Sequence, residues 1–582
     1  METPGKSPQS APDSTVCLWY RSRGALELLN PSALLARLDQ RFNLLSRGSA
    51  RLERQQTLFA TIAWSYDLLD PVAQRIFRRF SVFSGGASTE MAEEILVSDK
   101  TTESPNEVLD ALDELLDQNL IQLDRSSHGA ENSRIRMLET IRAFASTQLD
   151  KSGESDVIKT AHAMHMAAFV DALVPALTTG SQSVALATLA ADQANFYAAL
   201  DYLDSATNPE HHQAGLALAA ILWRYWFMRS SFSEGKRFLT RALAHPGEST
   251  AARARALDAM GIMAFSLGDL GTSVQYHQQA LDMATQLCID PVIAQASDSL
   301  GIVTVVSGDA ANALASFQRA REHYEKAGDR RGVAVALEHL AGAKSSLGEL
   351  DEARAFAVLS LETWRTLGDQ VAIGNALQHL GTIELYARNY ESAREYFGES
   401  LTLAEALGND FAAANATANL ASATEMVGDF AKAEHLLHDA ATRFATLQNT
   451  YGSAYVQYML GHVLRNDARV TEALPLVLVA ADALLQIGAL DVVSLCLETL
   501  AGCFLDRGHY TDAARLFGAA DALRTRTGIP LPGNRREELD RDLQTLRTGL
   551  PGDEPEDDAL AEGHALSPQD ALAFATRLGA GL

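Results

Sequence analysis

Residues 293–328 read IAQASDSLGIVTVVSGDAANALASFQRAREHYEKAG, and the same plan returns every 40 residues. The stretch holds two apolar-periodic segments, Ile293 to Ser307 and Ala311 to Tyr324, split by Gly308-Asp309. Gly stops the first segment as a helix because it tolerates the left-handed conformation just past a helix end. Leu300-Gly301 belongs to seven pairs set one period apart: Met260-Gly261, Leu300-Gly301, Leu340-Ala341, Leu380-Gly381, Leu420-Ala421, Leu460-Gly461 and Leu500-Ala501. The turn recurs as Gly268-Asp269, Gly348-Glu349, Arg388-Asn389, Gly428-Asp429 and Gly508-His509. Small residues recur at Ala313, Ala353, Ala393, Ala433, Ala473 and Ala513, and again from Ala280 through Ser360 to Ala520. They let helix backbones approach, while Phe317, Phe397 and Phe517 fill the space between. From about residue 251 to residue 530 no insertion interrupts the seven units. A lone helical hairpin cannot bury its apolar face, so the units must stack into an array. Such an array is a surface for holding something rather than a catalyst.

The Leu-Gly/Ala pair, the Gly-Asp turn and the two small positions together resemble the tetratricopeptide repeat. That repeat has a period of about 34 residues, so here the helices or the connecting loop are longer. The loop carries its own Gly series at Gly328, Gly368, Gly408, Gly488 and Gly528. The resemblance implies a superhelix whose first helices line a concave groove. Counting from the Leu-Gly anchors, inward positions are Gln295, Asp298, Glu338, Asn375, Gln378, Asn415, Glu425, Tyr455, Tyr458, His462 and Arg465. Asn and Gln can clamp a peptide backbone by paired hydrogen bonds. Tyr455 and Tyr458 offer the flat amphipathic area favoured at binding hot spots.

Residues 56–150 have another texture. Asp70-Pro71 starts a helix that runs through Ile76, Phe77 and Phe80. Gly85-Gly86 breaks the chain, Ser88 to Leu96 forms a second helix, and Ser104-Pro105-Asn106-Glu107 opens a third as a capping box. Leu120 to Leu123 and Arg134 to Met137 read as two short strands, followed by a helix from about Glu139 to Leu149. This order predicts a winged helix. The helix that would enter a DNA groove carries Glu107, Asp110, Asp113, Glu114 and Asp117 and no Lys or Arg. Phosphate would be repelled, so a structural or protein-contacting role is expected. Arg75, Arg78 and Arg79 on the first helix are expected to pair with the acidic helix nearby.

Trp64-Ser65-Tyr66-Asp67-Leu68-Leu69, Phe77 to Gly86 (FRRFSVFSGG) and Met137-Leu138-Glu139-Thr140-Ile141-Arg142 resemble the region after the nucleotide-binding core in bacterial STAND-type signalling ATPases, the AfsR-like and LuxR-type transcriptional regulators. The likeness continues through Trp223-Arg224-Tyr225-Trp226 and Leu516-Phe517-Gly518-Ala519-Ala520 to Ala561-Glu562-Gly563-His564, and covers roughly residues 25–580. It implies an NTPase core ahead of the winged helix, yet no GxxxxGK[ST] occurs in this chain. Gly5-Lys6-Ser7 matches only the last letters of a P-loop, in a Ser/Pro-rich stretch without the strand and helix that cradle phosphate. Many relatives place a His-Asp pair at the start of the last winged-helix helix to reach nucleotide. Leu138 and Glu139 stand there here, so that contact would be altered even with a core supplied in trans. A DNA-binding output domain, present in some relatives, is not expected before Leu582.

At 582 residues and a net charge of −26, the chain is large and acidic, which disfavours binding through phosphate contacts. Its four cysteines, Cys17, Cys288, Cys496 and Cys503, match no zinc or redox spacing. No signal peptide is visible, the apolar stretch Leu484 to Leu505 is interrupted by Asp491 and Glu498, and a cytoplasmic location is expected. His162 and His165 lack partners at ligand spacing, and neither HExxH nor GxSxG occurs. The reading is a mainly α, non-enzymatic chain without cofactor: a tail (1–24), the helical end of an NTPase module (25–55), a winged-helix-like domain (56–150), a helical spacer (151–250), seven repeats (251–530), then an acidic linker and capping helix (531–582). The stretch from Gly549 to Gly563 is expected to be mobile. The expected function is regulation, with a partner protein, peptide or small effector in the groove. The alternative is the sensor half of an ATP-dependent STAND regulator whose NTPase lies on another segment or chain.

Overall fold

Helices make up nearly all of the structure, a computed structural model that describes residues 49–97, 105–124, 133–178, 181–527, 533–550 and 556–580. Of the expected helical remnant (25–55), residues 25–48 lie outside the described residues and 49–55 are helical. Two compact units are present.

The first unit holds the described residues up to Met166 together with Ala191–Tyr202. Helix α1 (Ser49–Leu68) leads to α2 (Pro71–Phe80), where the Asp70 carboxylate accepts from Val72 N and Ala73 N at 2.7 and 2.8 Å and Pro71 occupies the first helical position. Then come α3 (Thr89–Leu96), α4 (Pro105–Asp117), β1 (Gln122–Asp124), β2 (Arg134–Arg136) and α5 (Glu139–Ser152). The strands pair antiparallel with Leu123 opposite Ile135, and Ala87 bridges to Ile135 on the other side. Ile76, Phe77, Phe80, Leu112, Leu115 and Leu149 form the buried centre. This is the winged helix that the spacing predicts. Arg134 reaches Asp192 at 2.6 Å, and the buried Asn195 donates to Gly86 O at 2.9 Å, so the 191–202 segment is fixed to the base of the wing. Arg78 and Arg79 both reach Glu154, beyond α5, at 3.3 and 3.2 Å, and Arg79 also donates to Leu96 O.

The second unit holds Ala167–Ala190 and Leu203–Leu582. Between the winged helix and the repeats the chain forms α6 (Ser155–Leu173), α7 (Gln182–Ala191), α8 (Gln193–Ser205), α9 (Pro209–Ile221), α10 (Trp223–Met228) and α11 (Phe232–Ala244), with the residues of α6, α7 and α8 divided between the two units. Seven helical hairpins follow in the expected register: α12 (Ala251–Ser266) with α13 (Leu270–Gln286), α14 (Asp290–Val306) with α15 (Ala310–Ala327), α16 (Arg330–Ser346) with α17 (Leu350–Leu367), α18 (Gln370–Tyr386) with α19 (Tyr390–Ala406), α20 (Asp410–Met426) with α21 (Phe430–Thr446), α22 (Thr450–Asn466) with α23 (Val470–Ile487), and α24 (Leu490–Leu505) with α25 (Tyr510–Thr527).

The Gly-Asp turn does two jobs. Gly308 sits at φ +88°, closing α14, and the Asp309 carboxylate caps α15 by accepting from Asn312 N at 3.1 Å. The Leu-Gly pair explains itself at Gly381, where a Cβ would lie 2.6 Å from the Phe397 ring; Gly301 stands in the same relation to Phe317. First helices of successive hairpins pack against one another more closely than second helices do, so the first helices form the inner face of the superhelix. Val470–Ile487 has the length and apolarity of a membrane span, yet its Leu474, Val477, Ala481 and Leu484 are buried in the repeat core.

Beyond the hairpins the chain forms α26 (Gly533–Gly549), α27 (Glu556–His564) and α28 (Pro568–Gly579). Ser567 caps α28 as expected, accepting from Asp570 N at 3.1 Å. The rest of this region departs from the expected linker. Part of the stretch expected to be mobile is helical, and α27 packs so closely on α25 that Gly518 faces Leu560 O and Gly563 faces Arg515 O. Charge density hid these helices, because carboxylate-rich segments read as solvated chain.

Candidate binding groove

The inner face is a ladder of polar side chains in which a residue of one first helix reaches a residue of the next. Gln295 donates to Asp258 at 2.9 Å, His339 meets Asp298 at 2.7 Å, Asn419 donates to Gln378 at 2.7 Å, and Asn466 donates to Glu425 at 2.9 Å. Arg465 completes the series by donating to Asp506 at 2.9 Å. The exact period makes this possible, because equivalent positions one repeat apart are stacked. Asp258 is also held by the buried His277 at 2.7 Å. Burial of His339 works against its charge, but the adjacent Asp298 outweighs it and raises the pKa.

The residues expected in the groove therefore divide. Asn375 is exposed, and Asn415 is half-buried and donates to Phe411 O at 3.1 Å. Gln295 and Gln378 are half-buried members of the ladder. Glu338 accepts from Trp364 Nε1 at 2.7 Å within its own hairpin. Asp298 is almost wholly covered. Glu425, Tyr458, His462 and Arg465 are buried, and this corrects the reading of them as an accessible surface. They lie beneath α26.

Helix α26 rests on the inner face of the last hairpins and inserts charges at every turn. Glu538 accepts from His462 Nε2 at 3.0 Å and Arg465 Nη1 at 3.2 Å, and Asp542 accepts from Arg465 Nη2 at 2.8 Å. Arg535 of α26 is paired with Glu538 at 3.0 Å and reaches Thr499 at 3.3 Å. Arg388, at the turn of the fourth hairpin, meets Glu537 at 2.6 Å. On its other ring nitrogen His462 holds Glu425 at 2.7 Å. Burial and Arg535 disfavour the imidazolium, yet Glu425 and Glu538 prevail and raise the His462 pKa. Burial opposes the charge on Glu538 as well, but His462, Arg535 and Arg465 hold its pKa far below the carboxylate range.

Next to this network a cavity of about 130 Å³ remains, lined by Tyr386, Asn419, Tyr455, Tyr458, His462 and Arg535 among others. The rings run as a stripe along α22, Tyr451 stacked on Tyr455 at 6.1 Å and Tyr455 tilted against Tyr458 at 6.0 Å. Burial pushes the Tyr455 phenol up to about 12 and that of Tyr458 further. The Arg535 Nε is buried here without a hydrogen bond.

Arg535, Glu538 and Asp542 escaped the sequence reading. Their spacing on one helical face, with Leu539, Leu543 and Leu546 alongside, was the signal that could have found them. Within the first unit, Leu138 is the N-cap of α5, exposed and without a capping hydrogen bond.

A winged helix-turn-helix domain family matches residues 69–150. A Mycobacterium tuberculosis protein named as an HTH-type transcriptional regulator is 32% identical over 274 residues, 44% of this chain and 29% of that protein. An uncharacterized protein of the same organism is 29% identical over 141 residues, 24% of this chain and 35% of its own length. The chain thus spans about a third or less of the curated relatives it matches. Among solved structures, a STAND protein with a tetratricopeptide repeat sensor from Pyrococcus horikoshii is similar at a TM-score of 0.51 and 14% identity, covering 83% of this chain and 66% of that one. The fold is therefore a winged helix followed by a tetratricopeptide-like superhelix.

Proposed function

We propose that this chain is a regulatory interaction module that holds a protein or peptide partner on the inner face of its superhelix, in the cytoplasm. The observation that carries this reading is the occupancy of the inner face by a helix of the chain itself: the face is shaped and charged to hold a helix. The relative named as a transcriptional regulator supports a regulatory setting. Direct DNA reading by the winged helix is disfavoured because Glu107, Asp110, Asp113 and Asp117 are exposed along α4.

The test is site-specific photo-crosslinking in the source organism, with a photoreactive residue at Asn375 on the inner face or at Val479, exposed on a second helix. A discrete protein adduct at Asn375 and none at Val479 is expected. Adducts at Val479 alone, or at neither, would overturn the reading.

A second reading is favoured by the order of winged helix and repeats shared with the STAND structure. Here the array restrains an NTPase carried by another segment or chain. With Leu138 at the start of α5, the winged helix offers no hydrogen-bond donor from that side chain to a phosphate. Tight ATP or ADP binding by the purified chain would favour this reading over the first.

A further inference from the structure

We infer that α26 (Gly533–Gly549) is a displaceable internal ligand, and that the groove's external partner is a helix bearing carboxylates one turn apart. The inference rests on the groove reading above.

Four observations converge. First, the interface is charge-complementary: the array supplies His462, Arg465 and Arg388 to Glu538, Asp542 and Glu537 of α26, and α26 sets Arg535 near Glu425 and Glu498 of the array. Second, the contact follows the helix-in-groove pattern, with residues 535, 538, 542, 546 and 549 on one face. Third, that face is unusually polar for a permanent core element. Leu546 is fully buried, but Leu539 and Leu543 are only half-covered. Desolvating two charges offsets much of what their attraction returns, so buried ion pairs specify register better than they stabilise. Fourth, the fit is incomplete. The cavity of about 130 Å³ and the unpaired Arg535 Nε lie where α26 begins. A partner helix with the same two carboxylates and a bulky aromatic residue in place of Arg535 would keep the pairs to His462 and Arg465 and fill the void.

The spacing sets the partner's chemistry. Glu538 sits where both His462 and Arg465 reach it, and Asp542, four residues on, takes the other guanidinium nitrogen of Arg465. An acidic amphipathic helix meets these demands; a basic or extended peptide does not.

The experiment uses the full chain and a fluorescein-labelled peptide of residues 533–550. In the double variant Glu538→Gln/Asp542→Asn the internal helix loses its anchors while His462 and Arg465 remain. The peptide is expected to bind this variant at least tenfold more tightly than the unmodified chain. A peptide carrying the same two substitutions should bind neither. Hydrogen exchange on the unmodified chain provides a readout that needs no variant: amides of 533–549 should exchange well before those of α22 and α24. Absence of peptide binding to the double variant, or exchange of 533–549 in step with the repeat helices, would make α26 a fixed cap and overturn the inference. Asn375 adducts without peptide binding would leave the groove reading standing alone. Peptide binding without Asn375 adducts would remove the groove reading while keeping the exchangeable helix.

Discussion

At the scale of single residues, glycine is the sharpest probe of the array. Gly342 and Gly381 both lie inside first helices, but a Cβ at Gly342 meets nothing within 4 Å, whereas at Gly381 it lies 2.6 Å from the Phe397 ring. Gly342→Ala should therefore stabilise by about 1 kcal/mol through helix propensity. Gly381→Ala should cost about 1–3 kcal/mol through overpacking, despite the same propensity gain. Urea denaturation of the two variants checks this, and equal shifts would contradict the packing described. Tyr458 reads in the sequence as an exposed contact, so its truncation would be a pure binding defect. It is 5% exposed beneath α26, and Tyr458→Ala should instead lower stability by about 3–4 kcal/mol, like other buried aromatic truncations. An unchanged denaturation midpoint would restore the exposed reading. The Leu-Gly anchors were legible because each recurs at a fixed offset and only a small residue fits there. The burial of Tyr458 was not legible, because what covers it lies about 80 residues onward in a segment with no repeat of its own.

At the scale of elements, α26 responds to pH through His462. That imidazole faces Glu425 from α20, Arg535 and Glu538 from α26, and Tyr458 and Arg465 on its own helix. Its folded pKa is raised above an ordinary value near 6.5. A raised folded pKa contributes stability that is fully present below the unfolded value and is lost as pH rises through the folded one. Docking of α26 should accordingly loosen on the alkaline side, above about pH 6.5. Trypsin cleavage after the exposed Arg536 and Arg541 reports it. The rate, normalised to a free peptide of the same sequence, should rise as the pH is taken upward from about 6.5; a flat profile would remove His462 as an anchor. Why α26 was hidden also belongs to this scale. Hydrophobic periodicity finds helices that bury carbon, and the inward stripe of α26 is largely charge. The strands and helices of the winged helix bury Phe and Ile and so were readable segment by segment.

For the whole molecule, charge decides between two uses of the winged helix. The chain carries −26 overall, and the helix that would face DNA adds exposed carboxylates. Mobility-shift titrations with duplex DNA at about 150 mM salt should show no complex, and lowering the salt should rescue little, since α4 carries no Lys or Arg to displace counterions. A salt-sensitive complex would reverse this. The two-part order, winged helix then repeats, was legible from local composition and period.

The polar ladder also makes the superhelix a spring. Each rung ties neighbouring coils, so changing the pitch means stretching hydrogen bonds at Asp298–His339, Gln378–Asn419 and Glu425–Asn466. Between α16 and α18 the tie sits at the helix starts, Arg331 to Asp369 at 2.7 Å, and Arg354 of α17 adds a second one to Glu384 of α18. Charge-assisted ties of this kind resist stretching at least as well as neutral ones. Tension applied at either end is thus shared from coil to coil along the array.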